Sequence, residues 1–253
     1  RILGLKVSEN LRELADAIPE EKKPVVFITH MEHHSNQTSW LETIADVEII
    51  PCDDDGLVDY DSLNDLLDQY KHKEMKIASV TSCSNVTGIQ PDYYRIAKVM
   101  HQNDGVCFVD FACSAPYVNI DMRPEDPESY LDAIFFSPHK FLGGPGTSGV
   151  LIFHKSLYKN MIPDNPGGGT VNWTNPWGEH RYLEDIETRE DGGTPGFLQT
   201  IRTALAVQLK EEMGVQQIHE RENEIIEKVF DSLLPVKNLN MLAQQHSDRL
   251  GIF

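Results

Sequence analysis

The chain has 253 residues, of which 40% are hydrophobic and 25% are charged, and its formal net charge is −18. This composition predicts a globular protein without a membrane span, because no apolar run approaches the roughly 20 residues that cross a bilayer. The acidic excess would repel phosphate backbones and the basic residues are scattered, so the composition argues against nucleic acid as a partner.

The N-terminal segment and the cysteines indicate the compartment. Residues 1–14 lack the basic start, apolar centre and small-residue cleavage site of a signal peptide. Cys52, Cys83, Cys107 and Cys113 lie in or beside predicted strands without CxxC spacing, which is typical of reduced thiols. We therefore expect a cytoplasmic protein with neither a disulfide framework nor a structural zinc site.

Short β-branched runs alternate with helical patterns along the first part of the chain. Apolar side chains recur at i, i+3, i+4 and i+7 in residues 63–70 and 93–100, and Pro91 is placed to start the second helix. Alternating strands and helices predict an α/β fold, a three-layer structure around a mainly parallel sheet. The predicted strands are residues 25–29, 47–50, 76–81, 106–109, 133–136 and 150–153.

The pattern changes after Ile162. Residues 163–196 are rich in Gly, Pro, Trp and Thr, and a segment of this length predicts a functional loop or a hairpin of its own. Two helical stretches follow, the first over Phe197–Met213. The second presents one apolar face, made by Ile218, Ile225, Val229 and Leu233.

Polar residues follow four of the predicted strands. Parallel sheets bind ligands beyond the carboxyl ends of their strands, so these segments are expected to converge on one crevice. Lys140 lies there between an apolar strand and a glycine-rich loop. Burying an ammonium group is costly, so a lysine in this place indicates chemistry such as Schiff-base formation. The converging segments are residues 29–36, 81–88, 110–114 and 137–149.

Other interpretations exist for several of these residues. Residues 144–149 satisfy GxGxxG, but a dinucleotide fingerprint requires a helix at the loop and this loop leads directly into a predicted strand. His30, His33 and His34 could bind a metal or serve plain surface and core roles, and no HExxH motif accompanies them. Asp110 could cap a helix, or pair with a metal or a protonated ring nitrogen.

One cofactor would explain a whole group of residues at the strand ends. Pyridoxal phosphate (PLP) requires a lysine for its aldehyde and a carboxylate for its pyridinium nitrogen. It also requires a flat group over its ring and donors for its phosphate. The residues that would meet these needs are His33, Asp110, Ser137, His139 and Lys140.

Short motifs carry these residues. They are Glu32-His33-His34-Ser35-Asn36 with Trp40, Ser84-Asn85-Val86-Thr87-Gly88, Val109-Asp110, Ser137-Pro138-His139-Lys140 with Gly143-Gly144-Pro145-Gly146, and Gly193-Thr194-Pro195. In this order and at this spacing they resemble the class V aminotransferase family of PLP-dependent enzymes, in particular its cysteine desulfurase and selenocysteine lyase branch. The resemblance extends from near residue 25 to about residue 215.

The resemblance implies a role for each residue of the group. Lys140 would bind PLP as a Schiff base, His33 would stack on the ring, and Asp110 would pair with the ring nitrogen. Ser137 and His139 would contact the phosphate. An incoming amino acid would displace Lys140, and the freed amine would then move the α-proton.

Further positions concern the substrate and a partner subunit. The resemblance implies that Asn85 lies near the substrate carboxylate and the ring oxygen. Thr194 would reach the phosphate of the cofactor in the neighbouring subunit of a homodimer. Cys113 stands where many relatives have a glutamine that donates to the ring oxygen. A thiol donates weakly, so Ser114 or Asn85 could serve that oxygen instead.

The resemblance also implies a domain arrangement. Residues 1–215 would form a PLP-binding large domain of fold type I whose N-terminal part is missing. Residues 216–253 would form a connecting helix and the start of a small C-terminal domain that is largely absent. Arg1 would begin partway through a helix, and residues 251–253 would open a strand.

The implied function is that of a PLP-dependent enzyme. It would act on a small amino acid, cysteine or selenocysteine, and would pass sulfur to an acceptor protein. An aminotransferase or another PLP lyase of the same fold is the first alternative. A non-catalytic dimeric scaffold that retains the fold is the second.

Overall fold

The computed structural model describes residues 2–253, so Arg1, which we expect within a helix, lies outside the described residues. Its strands are β1 (Val25–Thr29), β2 (Asp46–Ile50), β3 (Lys76–Thr81), β4 (Val106–Asp110), β5 (Ala133–Phe136), β6 (Val150–Phe153), β7 (Val171–Thr174) and β8 (His180–Tyr182). The first six form one sheet in the order β2-β1-β3-β4-β5-β6, and β7 pairs with β8. The pairs from β2 to β5 are parallel and β6 is antiparallel to β5, which confirms the mainly parallel sheet.

The helices alternate with the strands, as the periodicity predicts. Within residues 2–253 they are α1 (Arg12–Ala15), α2 (His34–Leu41), α3 (Tyr60–Gln69), α4 (Tyr93–His101), α5 (Ile186–Glu190), α6 (Phe197–Met213) and α7 (Val215–Leu233). The start of α4 differs slightly from the expectation. Asp92 caps this helix by accepting a hydrogen bond from the Arg95 amide at 2.9 Å, and Pro91 precedes the cap.

The sheet buries apolar side chains on both of its faces. In β1, Val25 and Phe27 belong to the core cluster on one face, and Val26 and Ile28 belong to the cluster on the other. Burying each of these side chains stabilises the fold by roughly 1.5–3 kcal/mol. Residues from α3, α4 and α6 join the first cluster, while Trp40 of α2 packs against the second. This arrangement confirms the three-layer α/β architecture.

The strand order places a crevice at one edge of the sheet. The chain steps outward from β1 to β2 and then returns to β3 on the other side of β1. Ligands of open parallel sheets bind where the strand order reverses in this way, beyond the carboxyl ends. The long segment 163–196 contains β7 and β8, which pair with each other in a separate two-stranded sheet. This confirms that the segment contains a hairpin of its own.

His101 at the end of α4 ties this helix to the segment before β5. Its Nε2 lies 2.9 Å from Oδ2 of Asp132, and its Nδ1 lies 2.6 Å from the carbonyl oxygen of Glu128. Burial alone would lower the pKa of His101, but these two acceptors outweigh it and raise the pKa above the usual value. Asp132 also accepts a hydrogen bond from the Cys107 amide at 2.8 Å, so the ion pair joins α4, β4 and the segment before β5.

We expect His101→Gln to lower the free energy of unfolding by about 1–3 kcal/mol near pH 6 and by less near pH 9. A raised histidine pKa adds stability that is complete below the unfolded value of about 6.5 and is lost as the pH rises through the folded pKa. Urea denaturation at both pH values tests this expectation. The exposed His219→Gln variant is the control, and an equal loss at the two pH values would contradict the charged pair.

Candidate active site

A cavity of about 270 Å³ lies beyond the carboxyl ends of β1, β3, β4 and β5. The structure brings seven of the eight sequence-predicted site residues to its wall. The eighth, Thr194, lies outside the cavity on the exposed loop before α6. The lining residues are His33, Ser35, Thr81, Cys83, Asn85, Asp110, Ala112, Cys113, Ser137, His139 and Lys140.

His33 follows β1 and caps the start of α2. Its Nδ1 accepts a hydrogen bond from the Ser35 amide at 3.3 Å and lies 2.7 Å from the Ser35 hydroxyl. Because Nδ1 faces these donors, the ring proton of the neutral imidazole is on Nε2. The His34 ring lies beside it, with 4.2 Å between the ring centroids. The flat His33 ring is therefore fixed at the cavity wall.

Glu32, the residue before His33, fixes this part of the site through hydrogen bonds to its carboxylate. Glu32 accepts hydrogen bonds from the Thr29 hydroxyl at 2.7 Å, the Thr81 amide at 2.8 Å and the Asn36 amide group at 2.7 Å. These contacts join the ends of β1 and β3 to α2. Burial raises the pKa of Glu32, although the hydrogen bonds oppose that shift. The sequence placed Glu32 in a motif without a role, and the structure shows that it anchors the loop that carries His33.

Asp110 at the end of β4 is 6% exposed and faces the cavity. Its Oδ1 accepts a hydrogen bond from the Ala112 amide at 2.8 Å, so it caps a turn rather than the helix that was one alternative. Burial raises its pKa, and the nearby Lys140 and His33 partly offset this effect. A buried carboxylate of this kind favours a positively charged partner in the cavity.

Lys140 ends a short 3₁₀ turn that follows β5, and its amide donates to the Ser137 carbonyl at 3.0 Å. The residue is exposed, so the expectation of a buried ammonium group is wrong. The turn follows the end of β5, so Lys140 lies past the buried strand, lines the cavity and stays open to solvent. Helix α6 supports the following loop, where Arg202 donates to the Pro145 carbonyl at 2.6 Å.

The glycine loop after Lys140 is packed against the lysine turn. A Cβ atom on Gly144 would lie 1.9 Å from the carbonyl oxygen of Pro138, far inside any real contact distance. The loop then enters β6 directly. The GxGxxG pattern of residues 144–149 is therefore a close-packing loop and lacks the helix of a dinucleotide site.

Gly144→Ala is expected to lower the free energy of unfolding by about 1–3 kcal/mol and to displace the turn that carries Lys140. The obstructing atom belongs to the backbone, so a side-chain movement cannot relieve the clash. Thermal unfolding and titration with PLP measure the two effects. Gly168→Ala is the matched control, since a Cβ atom there meets nothing within 4 Å. Equal behaviour of the two variants would contradict the packing argument.

Ser114 and Asn85 are the two residues that could donate to the ring oxygen in place of the Cys113 thiol, and the structure places them differently. Ser114 is fully buried, and its hydroxyl lies 2.5 Å from the Ser82 hydroxyl, away from the cavity. Asn85 is exposed and lines the cavity. Ser114 is therefore engaged elsewhere, and Asn85 is the substitute that the geometry leaves.

A family model described as aminotransferase class-V matches residues 10–253. The chain belongs to the class V aminotransferase family. This family is PLP-dependent, and the cavity at the sheet edge has the residue types that such a cofactor requires.

Two curated relatives of the chain are described as probable cysteine desulfurases. A probable cysteine desulfurase from Staphylococcus epidermidis is 31% identical over 231 residues, which cover 90% of this chain and 53% of the relative. One from Staphylococcus aureus is 28% identical over 255 residues, covering 98% and 59%. The chain therefore spans about half the length of these relatives.

Solved structures show the same fold. The cysteine desulfurase CsdA from Escherichia coli matches with a TM-score of 0.72 at 23% identity, over 93% of this chain and 55% of that chain. A NifS-like protein from Rickettsia africae matches with a TM-score of 0.69 at 22% identity, over 89% and 55%. These likenesses confirm the fold type that the motifs implied.

Four residues that line this cavity were not predicted as site residues. They fall inside the strand-end segments that the sequence predicted to converge, and this position was the available signal. Their residue types did not indicate a site, because serine, threonine and alanine are common in turns and Cys83 was interpreted as a reduced thiol. They are Ser35, Thr81, Cys83 and Ala112.

The histidines after β1 have partners other than a metal. His30 Nε2 lies 3.0 Å from the Gly56 carbonyl oxygen. Among residues 2–253, no group of three or more His, Cys, Asp or Glu side chains is arranged to hold a metal ion. In the same part of the chain, no helix combines the length and apolar character needed to cross a membrane.

Proposed function

We propose that this chain is the PLP-binding part of a cysteine desulfurase-like enzyme acting on cysteine or selenocysteine. The observation that carries the proposal is the meeting of Lys140, Asp110 and His33 at one cavity. A lysine, a buried carboxylate and a flat ring come from three separate strand ends. A scaffold without chemistry has no need for this combination.

The residues present fit the cofactor. Asp110 is buried with one hydrogen bond from a backbone amide, so it suits a protonated ring nitrogen as a charge partner. Ser137 and His139 line the same cavity and offer polar groups for a phosphate. When bound, PLP supplies an aldehyde that condenses with amines and a ring that accepts the electrons of a bond broken at the α-carbon.

The chain's own residues then divide the work. With PLP bound, the negative charge of Asp110 would hold a proton on the ring nitrogen. His33 would cover one face of the site and exclude water from it. Lys140 would hold the aldehyde and, when its amine is free, would take the α-proton on Nζ and return it later. Asn85 orients the substrate carboxylate from the β3 side.

A second copy of the chain completes the proposed assembly. The α6 face bears Leu198, Ile201 and Leu205, which are 78%, 56% and 60% exposed, and Leu142 of the lysine loop adjoins it at 67%. Exposed apolar surface of this kind marks an interface. Thr194 precedes α6, so a dimer through this face would bring it towards the partner's phosphate site.

Other parts of the proposal concern the setting of the enzyme. A sulfur-acceptor protein receives the released sulfur, and neither nucleic acid nor a membrane takes part. The four free cysteines of the described chain suit the reducing cytoplasm. We infer a boundary near residue 215, between the PLP-binding unit and the helix that follows it, and Gly214 with φ 77° between α6 and α7 supports this division.

The experiment is a substrate panel on PLP-loaded protein. With dithiothreitol present as the acceptor and two-electron reductant, cysteine and selenocysteine are expected to yield alanine together with sulfide or selenide. A keto acid product instead would support the aminotransferase alternative and overturn the proposed reaction. Failure to bind PLP in any form, with the fold intact by circular dichroism, would leave the non-catalytic scaffold.

A further inference from the structure

Two cysteines lie just past the ends of β3 and β4. Cys83 and Cys113 both line the cavity. The Ser82 hydroxyl lies 2.9 Å from the Asp110 carbonyl oxygen and 2.5 Å from the Ser114 hydroxyl, so the two segments run side by side. Each cysteine is the chain neighbour of one of these serines. Cys83 and Cys113 follow the ends of two adjacent strands, β3 and β4, whose last residues Thr81 and Asp110 are partners in the sheet. A disulfide spans Cα separations of about 4.4–6.8 Å, and this placement brings the two thiols to one cavity.

The surroundings give the two thiols different reactivity. The Cys83 thiol lies 3.3 Å from the Gly88 carbonyl oxygen and 3.5 Å from that of Ser84. Interaction with the Cys83 thiol lowers the pKa of Cys113, and the positive charge of Lys140 acts in the same direction. Interaction with Cys113, together with burial, raises the pKa of Cys83. Burial, Asp110 and Glu222 oppose the ionisation of Cys113 but are outweighed. Cys113 is half-buried and open to the cavity, whereas Cys83 is 1% exposed.

We propose that Cys83 and Cys113 are a redox-sensitive modification site that forms a reversible disulfide in response to a peroxide. The Cys113 thiolate attacks one peroxide oxygen, the O–O bond breaks, and the departing hydroxide takes a proton to become water. Cys113 is then a sulfenic acid. The Cys83 sulfur attacks the Cys113 sulfur, the S–O bond breaks, and the hydroxyl leaves with the Cys83 proton as a second water. Two electrons pass from the thiols to the peroxide.

The first oxidation creates the electrophile that the second step needs. The Cys113 sulfur bound to oxygen is open to attack by a neighbouring thiol, and Cys83 is the second thiol that lines this cavity. The bond would draw the Cys113 side chain away from Lys140 and alter the cavity wall. As a consequence that rests on the proposed function, the oxidised chain is expected to bind PLP about tenfold more weakly, which equals about 1.4 kcal/mol.

The test uses the full chain without cofactor and hydrogen peroxide as the oxidant. After alkylation of free thiols, mass spectrometry is expected to show a protein lighter by two hydrogen atoms and a linked peptide pair containing Cys83 and Cys113. Dithiothreitol should restore both thiols. Linkage through the exposed Cys52, or oxygen addition at Cys113 without linkage, would overturn the proposal.

Variants sharpen the assignment. In Cys83→Ser, Cys113 is expected to gain oxygen instead of losing hydrogen, whereas Cys52→Ser should form the bond as the native chain does. The native protein alone decides whether the bond forms, so a variant that fails to fold leaves the test intact.

A PLP titration of the reduced and oxidised forms separates this inference from the proposed function. If the disulfide forms but neither form binds PLP, the redox site stands and the proposed function fails. If PLP binds the reduced form and no disulfide appears, the proposed function stands and the redox site fails. Equal PLP affinity of the two forms would refute the coupling between them.

Discussion

Replacing Lys140 with alanine is expected to reduce the release of alanine from cysteine by about 10²–10⁴-fold, because the variant lacks the amine that moves the α-proton. The fold should survive, since the Lys140 side chain is exposed and its backbone hydrogen bond to Ser137 does not need the side chain. Steady-state kinetics with cysteine measure the loss, and circular dichroism confirms the fold.

Lys155→Ala is the control for this prediction. Lys155 is also an exposed lysine in a short 3₁₀ turn after a strand of the same sheet, but it does not line the cavity. Its replacement should leave turnover unchanged. Equal activity of Lys140→Ala and the native protein would show that another group moves the proton, and the assignment of Lys140 would fail.

Asp110→Asn is expected to change PLP affinity and stability in opposite directions. Loss of the buried charge should weaken PLP binding by about 10–100-fold, because the ring nitrogen loses its charge partner. The cofactor-free fold should become more stable near neutral pH. Burial raises the pKa of Asp110 above its unfolded value, so ionisation destabilises the fold as the pH rises through this range, and asparagine removes that cost.

PLP titration and urea denaturation measure the two effects. Asp53→Asn is the matched control, because Asp53 is exposed and its carboxylate accepts amide hydrogen bonds in a turn as Asp110 does. Asp53→Asn should not weaken PLP binding and should not show the opposite changes in PLP affinity and stability that are expected of Asp110→Asn. A variant at Asp110 that loses stability and retains PLP would contradict a binding role for this carboxylate.

The sheet and its helices were predictable because their signals are local. Strands buried on both faces appear as unbroken apolar runs, as in residues 25–29, and amphipathic helices repeat their apolar positions, as in residues 93–100. The convergence of His33, Asp110 and Lys140 followed from parallel topology, which fixes where strand ends meet.

The remaining features depend on contacts between distant parts of the chain. The hydrogen bond from the Thr81 amide to the Glu32 carboxylate joins residues far apart in sequence, and only the register of β1 with β3 brings them together. The proposed pairing of Cys83 with Cys113 depends in the same way on the register of β3 with β4. Lys140 was expected to be buried, but a short turn placed it at the surface, and turn geometry is not read from an apolar pattern. The role of Thr194 stays a prediction that involves a second chain.

The most direct test of the central claim is to load the chain with PLP, reduce it with borohydride and locate the attached cofactor by peptide mass mapping. The account predicts one labelled site, at Lys140, and no label in Lys140→Ala. A label spread over several surface lysines, or a single label at a lysine outside the cavity, would contradict the assignment of this cavity as the PLP site.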